Sequence, residues 1–438
     1  MTAASTSPAV SSLASRAMQG AWLVVGTSLL AACGGGGGAA GTPPPPTAVV
    51  ISSQPASQAV VSGQSASFSV TATGNGSLGY QWRLNGVDVA GATAASYAPQ
   101  ALGTEQDNAQ VTVRVSDAGG SLLSAAATLR VYDPAKLTPP TLNAFAANVN
   151  DAGIDTAFGQ HLASVPNSLL SARGRLFVFL PASLSVPSRT QLILQAAANN
   201  GFHAIGLAYP NDVVIDDACS GSSDAACWRN AREEIRSGSN ASSSVAVNAA
   251  NSIEHRLQRA LQYLAQTQAD AGWSQYLDST GAVRWDRVRL SGHSQGGGHA
   301  AYIATQRSVD RACLFSSPAD YDTLRQQPAA WLSAASATPA SRVYGFTHDR
   351  DTVVGFARIQ STWAALGLAA FGAVAQVDVA LPQPGYQGRH MLASDLPAVG
   401  GLPGTPYHGM PVVDLLTPND SGSGLPVYWP VWQYACFL

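Results

Sequence analysis

Gly292-His293-Ser294-Gln295-Gly296 follows directly on the strand-like run Arg287-Val288-Arg289-Leu290-Ser291 and leads into a helical segment that includes Ala300 to Ile303. A serine held on so sharp a strand-to-helix turn needs small neighbours, because the backbone is crowded there and Cβ atoms would collide. Gly292, Gly296 and Gly297 supply them. The turn lifts the serine oxygen above the sheet, and the helix that follows directs N–H groups and the positive end of its dipole at the same place. Five-residue patterns arise by chance in glycine-rich chains; the position of this one between strand and helix gives it weight.

The surrounding chain repeats that alternation. Apolar runs at 176–180, 204–208, 288–291, 312–315, 343–346 and 374–381 are separated by helix-length segments. This argues for an α/β domain over 133–438, a mostly parallel sheet flanked by helices. Ile253, Leu257, Leu261 and Leu264 recur at intervals of four, four and three, which is one apolar face of a helix. A length of 438 residues leaves room for about three folding units, fewer if one is a large α/β domain. With 46% hydrophobic and only 11% charged residues the chain is not wholly disordered. Its 23 basic and 26 acidic residues include no basic run, so nucleic acid is not expected as a partner.

Residues 1–32 carry one charge, Arg16, and an apolar stretch from Ala21 to Ala32 that is too short to span a bilayer but right for the core of a signal peptide. Leu30-Ala31-Ala32-Cys33-Gly34 resembles the lipobox of bacterial lipoproteins. The resemblance implies removal of 1–32, lipidation of Cys33 and, with Gly rather than Asp at 34, sorting to the outer membrane or cell surface of a Gram-negative bacterium. The plainer alternative is an ordinary secretory signal. Gly34 to Gly38 and then Pro43 to Pro46 make 33–46 a tether, flexible at first and stiffer later. An exported chain can keep disulfides. Cys219 and Cys227 flank a short Gly/Ser/Asp loop and are the expected pair; Cys313 lies in an apolar run and reads as simply buried, and Cys436 is assigned no partner.

Between 47 and 132, alternating runs at 65–71, 80–84, 110–116 and 126–132 are broken by Gly/Asn/Ser turns, the pattern of an all-β sandwich. Tyr80-Gln81-Trp82 followed by Asn85-Gly86, with Asp107 ahead of Val111-Thr112-Val113, resembles an immunoglobulin-like domain of the bacterial exported type. The resemblance makes Trp82 the core tryptophan and puts Val70 and Val113 where that fold's inter-sheet cysteines would stand. The core then rests on apolar packing, and the domain reads as a spacer.

Over roughly 175–438 the chain resembles the α/β-hydrolase superfamily, and within it exported bacterial lipase- and esterase-like enzymes. The resemblance is carried by the serine turn, by Leu176-Phe177-Val178-Phe179-Leu180-Pro181, similar to the strand before their oxyanion loop, and by Gly201-Phe202-His203 to Tyr209-Pro210-Asn211, similar to the next strand. It implies Ser294 as nucleophile, with the oxyanion held by the backbone N–H of Gln295 and a second near Ala182 or Ser183. Pro181-Ala182-Ser183 departs from the commoner glycine-rich loop. The serine needs a base, and a histidine with a pKa of about 6.5 can take and return its proton.

The superfamily's order of nucleophile, acid and histidine leaves His299, His348, His390 and His408 among the eight histidines. His299 falls in the helix after the turn and His348 in the acid loop. His408, in Tyr407-His408-Gly409-Met410 ahead of a final helix near 427–434, resembles the histidine loop; His390, in Gly388-Arg389-His390-Met391, is the alternative. For the acid, 347–354 resembles the acid loop, with Asp351 best placed ahead of Val353-Val354. Asp349 beside it and Asp320 after the preceding strand are the alternatives.

The expectation is a serine hydrolase that cleaves carboxylic esters through an acyl-enzyme on Ser294, with His408 shuttling the proton and Asp351 orienting His408. No cofactor is implied. No zinc-type spacing occurs, and Gly296-Gly297-Gly298 lacks the lysine of a phosphate loop, so no metal or nucleotide site is expected. The expected partners are an ester, lipid or polymeric in keeping with a surface location, and the membrane through the lipid anchor; oligomeric state is not legible. Pocket shape depends on the insertions 212–245 and 318–341, and Trp228, Trp331 and Trp429 either line a cleft or pack the core. A peptidase or amidase with the same triad is one alternative. A surface adhesin that has lost activity is another.

Overall fold

The computed structural model describes residues 48–62, 65–99, 102–133, 139–156, 158–167, 172–378, 386–398, 406–422 and 424–438. Cys33, the apolar stretch before it and the 33–46 tether lie outside the described residues. Thr47–Leu438 forms one compact unit.

Its N-terminal part is a small β-sandwich. Gly79–Leu84, Ala109–Asp117 and Ala127–Tyr132 pair antiparallel, and the last of these also takes Gln58–Val61 alongside it in parallel. Phe68 and Tyr97, from a separate two-stranded pair, pack their rings on Trp82 at 6.3 and 5.9 Å. Trp82 is fully buried, and its Nε1 donates to the Ala94 carbonyl at 2.9 Å. Val70 and Val113 are buried in the same cluster, so apolar contact stands where a disulfide would otherwise bridge the sheets. Alternating burial along Ala109–Asp117 is the signature of a strand with one wet face. Ala127–Tyr132 breaks it, because its outer face is covered by the rest of the chain: Arg130 Nη1 reaches the Asn200 carbonyl at 3.4 Å, and the Tyr132 ring lies 6.0 Å from that of Trp429.

The large domain is built on a nine-stranded mixed sheet. In chain order its strands are β1 (Asn143–Phe145), β2 (His161–Ser164), β3 (Leu176–Leu180), β4 (His203–Gly206), β5 (Val288–His293), β6 (Arg311–Phe315), β7 (Val343–His348), β8 (Ala375–Gln376) and β9 (Met391–Ser394). They lie side by side as β1-β2-β4-β3-β5-β6-β7-β9-β8. The joins β1/β2 and β2/β4 are antiparallel, and the remaining joins are parallel. Helices α1 (Gln191–Asn199), α2 (Ile215–Cys219), α3 (Cys227–Ser237), α4 (Ile253–Thr267), α5 (Gln295–Gln306), α6 (Phe356–Ala365), α7 (Pro406–Gly409) and α8 (Trp429–Trp432) complete it. The alternation along β3 divides the core: Leu176, Val178 and Leu180 join the cluster with α3, α4 and α5, while Phe177 and Phe179 join the one with α1 and α8.

One strand expectation changes. The run at 374–381 contributes only the two-residue edge strand β8 among the described residues, and β7 is flanked instead by β9, paired from Gly345 with Met391 to His348 with Ser394. Cys219 and Cys227 form a disulfide that joins the end of α2 to the start of α3. Cys313, read as simply buried, is buried and bonded to Cys436, which ties β6 to the C-terminal π-helical turn Gln433–Phe437. Trp228, Trp331 and Trp429 are all buried and belong to the core clusters, so they pack the core.

Candidate active site

Ser294 sits between the end of β5 and the start of α5 with φ 54 and ψ −121, a conformation that costs a side-chain-bearing residue about 1–3 kcal/mol. Its N–H is held by the Phe315 carbonyl at 2.9 Å, and its own carbonyl accepts from Gly298 at 3.0 Å. Close packing explains the glycines. A Cβ on Gly292 would meet the Gly296 backbone, one on Gly296 the Leu180 and Pro181 carbonyls, and one on Gly297 the Ser317 hydroxyl. In the stretch 291–300 every residue except Ser294 is buried.

Asp351 and His408 meet directly, with His408 Nδ1 2.7 Å from Asp351 Oδ2. The other carboxylate oxygen, Oδ1, accepts from the N–H groups of Val353 at 2.9 Å and Val354 at 3.2 Å. Burial pushes the Asp351 carboxyl up, but the hydrogen bond and charge of His408, together with those two N–H groups, outweigh it and hold the pKa below its ordinary value. The short helix α7, which carries His408 where a loop was expected, is fastened beside Ser294. Its carbonyl accepts from His293 Nε2 at 2.8 Å and from Ser316 Oγ at 2.9 Å, and the His293 and His408 rings lie 4.8 Å apart. Burial first, and then the neighbouring His408, push His293 down to about 3, so it is neutral and can serve as a fixed donor.

The alternatives occupy other places. His390 precedes β9, at the N-terminal edge of the parallel strands, whereas Ser294 follows β5 at the C-terminal edge. Its ring is stacked on Tyr344 and Phe371 at 3.9 and 3.8 Å, and Nδ1 bonds to the Val343 carbonyl at 2.8 Å. Asp349 Oδ1 lies 3.3 Å from His348 Nδ1 and is not on His408. Asp320 is at the correct edge but is gripped by Arg232 and by Trp331 Nε1 at 2.8 Å. His348, placed in the acid loop from the sequence, is instead the last residue of β7, with Nε2 on the Leu396 carbonyl at 2.7 Å. His299 lies in α5, wholly buried.

The segment after β3 is braced from below. Tyr209 Oη donates to the Pro181 carbonyl at 2.8 Å, and Asn211 Nδ2 donates to the Ala182 and Ser185 carbonyls at 2.7 and 2.8 Å. Ser183 Oγ donates to Gln295 Oε1 at 3.0 Å, which brings the Ala182-Ser183 segment against the residue after Ser294. His293, Ser316 and Asn211 went unread as site residues, because each acts on a backbone group distant in sequence and leaves no local signal. A cleft of about 220 Å³ bordered by Asp155, Asp212, Val213 and Asn251 does not take in Ser294, Asp351 or His408. Among the described residues no group of three His, Cys, Asp or Glu is arranged to hold a metal ion, and no helix is long and apolar enough to cross a membrane.

No family model matches the chain, and neither does any curated protein sequence. Solved structures similar to it contain immunoglobulin domains. The tandem Ig repeats of Dlar are 18% identical with a TM-score of 0.19, covering 20% of this chain and 49% of that one. Titin domain M7 is 22% identical with a TM-score of 0.19, covering 20% and 99%. Sidekick-1 immunoglobulin domains 1–5 are 13% identical with a TM-score of 0.18, covering 32% and 22%. The chain thus spans about half the length of the Dlar repeats and less of the Sidekick-1 fragment. Likenesses this slight bear on no question of activity.

Proposed function

We propose that this chain is a serine hydrolase of the α/β-hydrolase type that cleaves carboxylic esters. The observation that carries the reading is the Asp351–His408 contact at 2.7 Å, with α7 bonded through the His408 carbonyl to His293, the residue beside Ser294. In this reading Ser294 Oγ attacks the ester carbonyl carbon while His408 Nε2 takes its proton, and Asp351 holds Nδ1–H and stabilises the imidazolium. The oxyanion is met by the N–H of Gln295 and by one from the Ala182-Ser183 segment. The carbonyl–oxygen bond to the alcohol then breaks, with His408 returning the proton to the leaving alcohol. Water, deprotonated by the same histidine, then attacks the acyl carbon, and the acid leaves as His408 returns that proton to Ser294 Oγ.

Leu184 after β3, Leu324 after β6, Val353 after β7 and Leu415 after α7 are all exposed on loops at or beyond the strand ends that carry the site. Apolar side chains scattered singly are ordinary on a protein surface, so the preference for a lipid or polymeric ester rests on the surface location alone. Attachment to an outer membrane through Cys33 completes the proposal. The test is intact-mass analysis after treatment with a fluorophosphonate. One adduct on the wild-type chain, absent in Ser294→Ala, is expected; no adduct on folded protein would sink the reading.

A further inference from the structure

The serine turn is followed by a third glycine, Gly298, and a Cβ there would run into the guanidinium of Arg232. Arg232, buried on α3, donates from Nη1 to the carbonyl oxygen of Gln295 at 2.7 Å. Its Nε and Nη2 grip Asp320 at 3.1 and 2.5 Å, so the cation is paired and its direction is set. The Gln295 side chain is held from another direction. Its Oε1 accepts from the Ile215 N–H at 2.8 Å and from Ser183 Oγ at 3.0 Å, and its Nε2 donates to the Val213 carbonyl at 3.0 Å. Both side-chain polar atoms and the carbonyl of Gln295 are therefore engaged by elements outside its own helix.

The two arms of this clamp are covalently joined. Ile215 opens α2, Cys219 closes it, and Cys219 is bonded to Cys227, which opens the helix that carries Arg232. We propose that Arg232 is a positioning residue, and that the disulfide-linked pair α2 and α3 fixes the direction of the Gln295 N–H and its spacing from the Ala182-Ser183 segment. The inference rests on reading Ser294 as nucleophile and Gln295 N–H as oxyanion donor. A donor of this kind works only if it already points where negative charge will develop, and a misplacement of about 1 Å can cost about a hundredfold. The neutral carbonyl of bound substrate makes less of the same bond, so loosening the clamp lowers kcat and leaves KM nearly unchanged. Asp320, weighed from sequence as the catalytic acid, acts here by keeping a buried arginine paired and aimed.

The full chain tests this with Arg232→Met, Arg232→Lys and the double variant Cys219→Ser/Cys227→Ser. Fluorophosphonate titration counts competent sites, and hydrolysis of p-nitrophenyl acetate is then expressed per titrated site. Expected are a fall in kcat per site of about thirtyfold to a hundredfold for Arg232→Met, a smaller fall for Arg232→Lys, about tenfold for the double variant, and KM within about twofold throughout. A purely structural role predicts fewer titratable sites with kcat per site unchanged, and that result overturns the proposal. Should Arg232→Met fail to fold, Arg232→Lys and the double variant decide. Failure of the wild-type chain to titrate at all overturns the nucleophile reading itself, which is a distinct outcome.

Discussion

Replacing Asp351 by asparagine changes one atom of the site and leaves its shape intact. Oδ1 of Asp351 is held by two backbone N–H groups, those of Val353 and Val354, and only an oxygen can accept both. The asparagine of Asp351→Asn must therefore keep its carbonyl oxygen there and place its NH2 where Oδ2 stood, 2.7 Å from His408 Nδ1. Facing a donor, Nδ1 becomes the acceptor and the imidazole proton moves to Nε2, the nitrogen that would take the proton of Ser294. The wrong tautomer in a Ser-His-Asp triad lowers kcat by about 10⁴, equivalent to about 5.4 kcal/mol of barrier at 1.36 kcal/mol per tenfold. The assay is steady-state hydrolysis of p-nitrophenyl acetate with Ser294→Ala as background and Asp349→Asn as neighbour control, the latter staying within about twofold. Because the substitution is isosteric, its circular dichroism and melting temperature should stay close to wild type. A loss of less than tenfold in folded Asp351→Asn would refute both the tautomer argument and the role of the Asp351–His408 pair.

Two further outcomes concern stability. The Cys313–Cys436 disulfide closes a separation of 123 residues, so a Cys313→Ala/Cys436→Ala chain should lose up to about 5 kcal/mol in urea unfolding by loop-entropy reasoning; a loss under about 1 kcal/mol would show that the C-terminal segment is held by packing alone. His161 and His293 are buried, and burial pushes each from 6.5 down to about 3. Their folded pKa values are depressed, so the unfolded chain takes up protons the folded one does not, and stability is full above about pH 6.5 and drains as pH falls toward about 3. Between pH 7.5 and 5.0 each histidine should remove about 2 kcal/mol, and an unfolding midpoint unchanged across that interval would contradict their buried neutral state.

What could be read ahead of the structure was local. The serine turn was legible because its requirement is steric and confined to six positions, and Gly292, Gly296 and Gly297 each abut backbone or side chain that a Cβ would strike. The helix Ile253–Thr267 was legible from one apolar face. Strand β9 was not: Met391-Leu392-Ala393-Ser394 offers only three apolar residues in succession, too short a run to stand out after the longer one at 374–381. The candidate acids illustrate the same limit. Asp320 follows a strand as a catalytic acid would, but its partner Arg232 is 88 residues away and no spacing rule joins them. Cys313 read as a buried apolar residue, which it is; its bond to Cys436 is a fact of tertiary structure.

The C-terminal segment shows that the β-sandwich is packed on the large domain. Arg289 and Arg311, on adjacent strands, donate to carbonyls of Cys436 and Tyr434 at 2.8 and 3.1 Å, and the disulfide fastens Cys436 to β6. The segment thus lies bound across one face of the sheet, with Trp429 buried against Tyr132 of the sandwich. On the same side Arg130 is pinned by Asp107 at 2.6 Å while its Nη1 reaches Asn200, just beyond α1. A spacer that swung freely would expose the outer face of its last strand and carry polar side chains there. Here Leu129 to Tyr132 are buried in succession, so that face is committed to the large domain. The junction between sandwich and large domain is therefore a packed interface, closed by Arg130, Tyr132, Asn200 and Trp429.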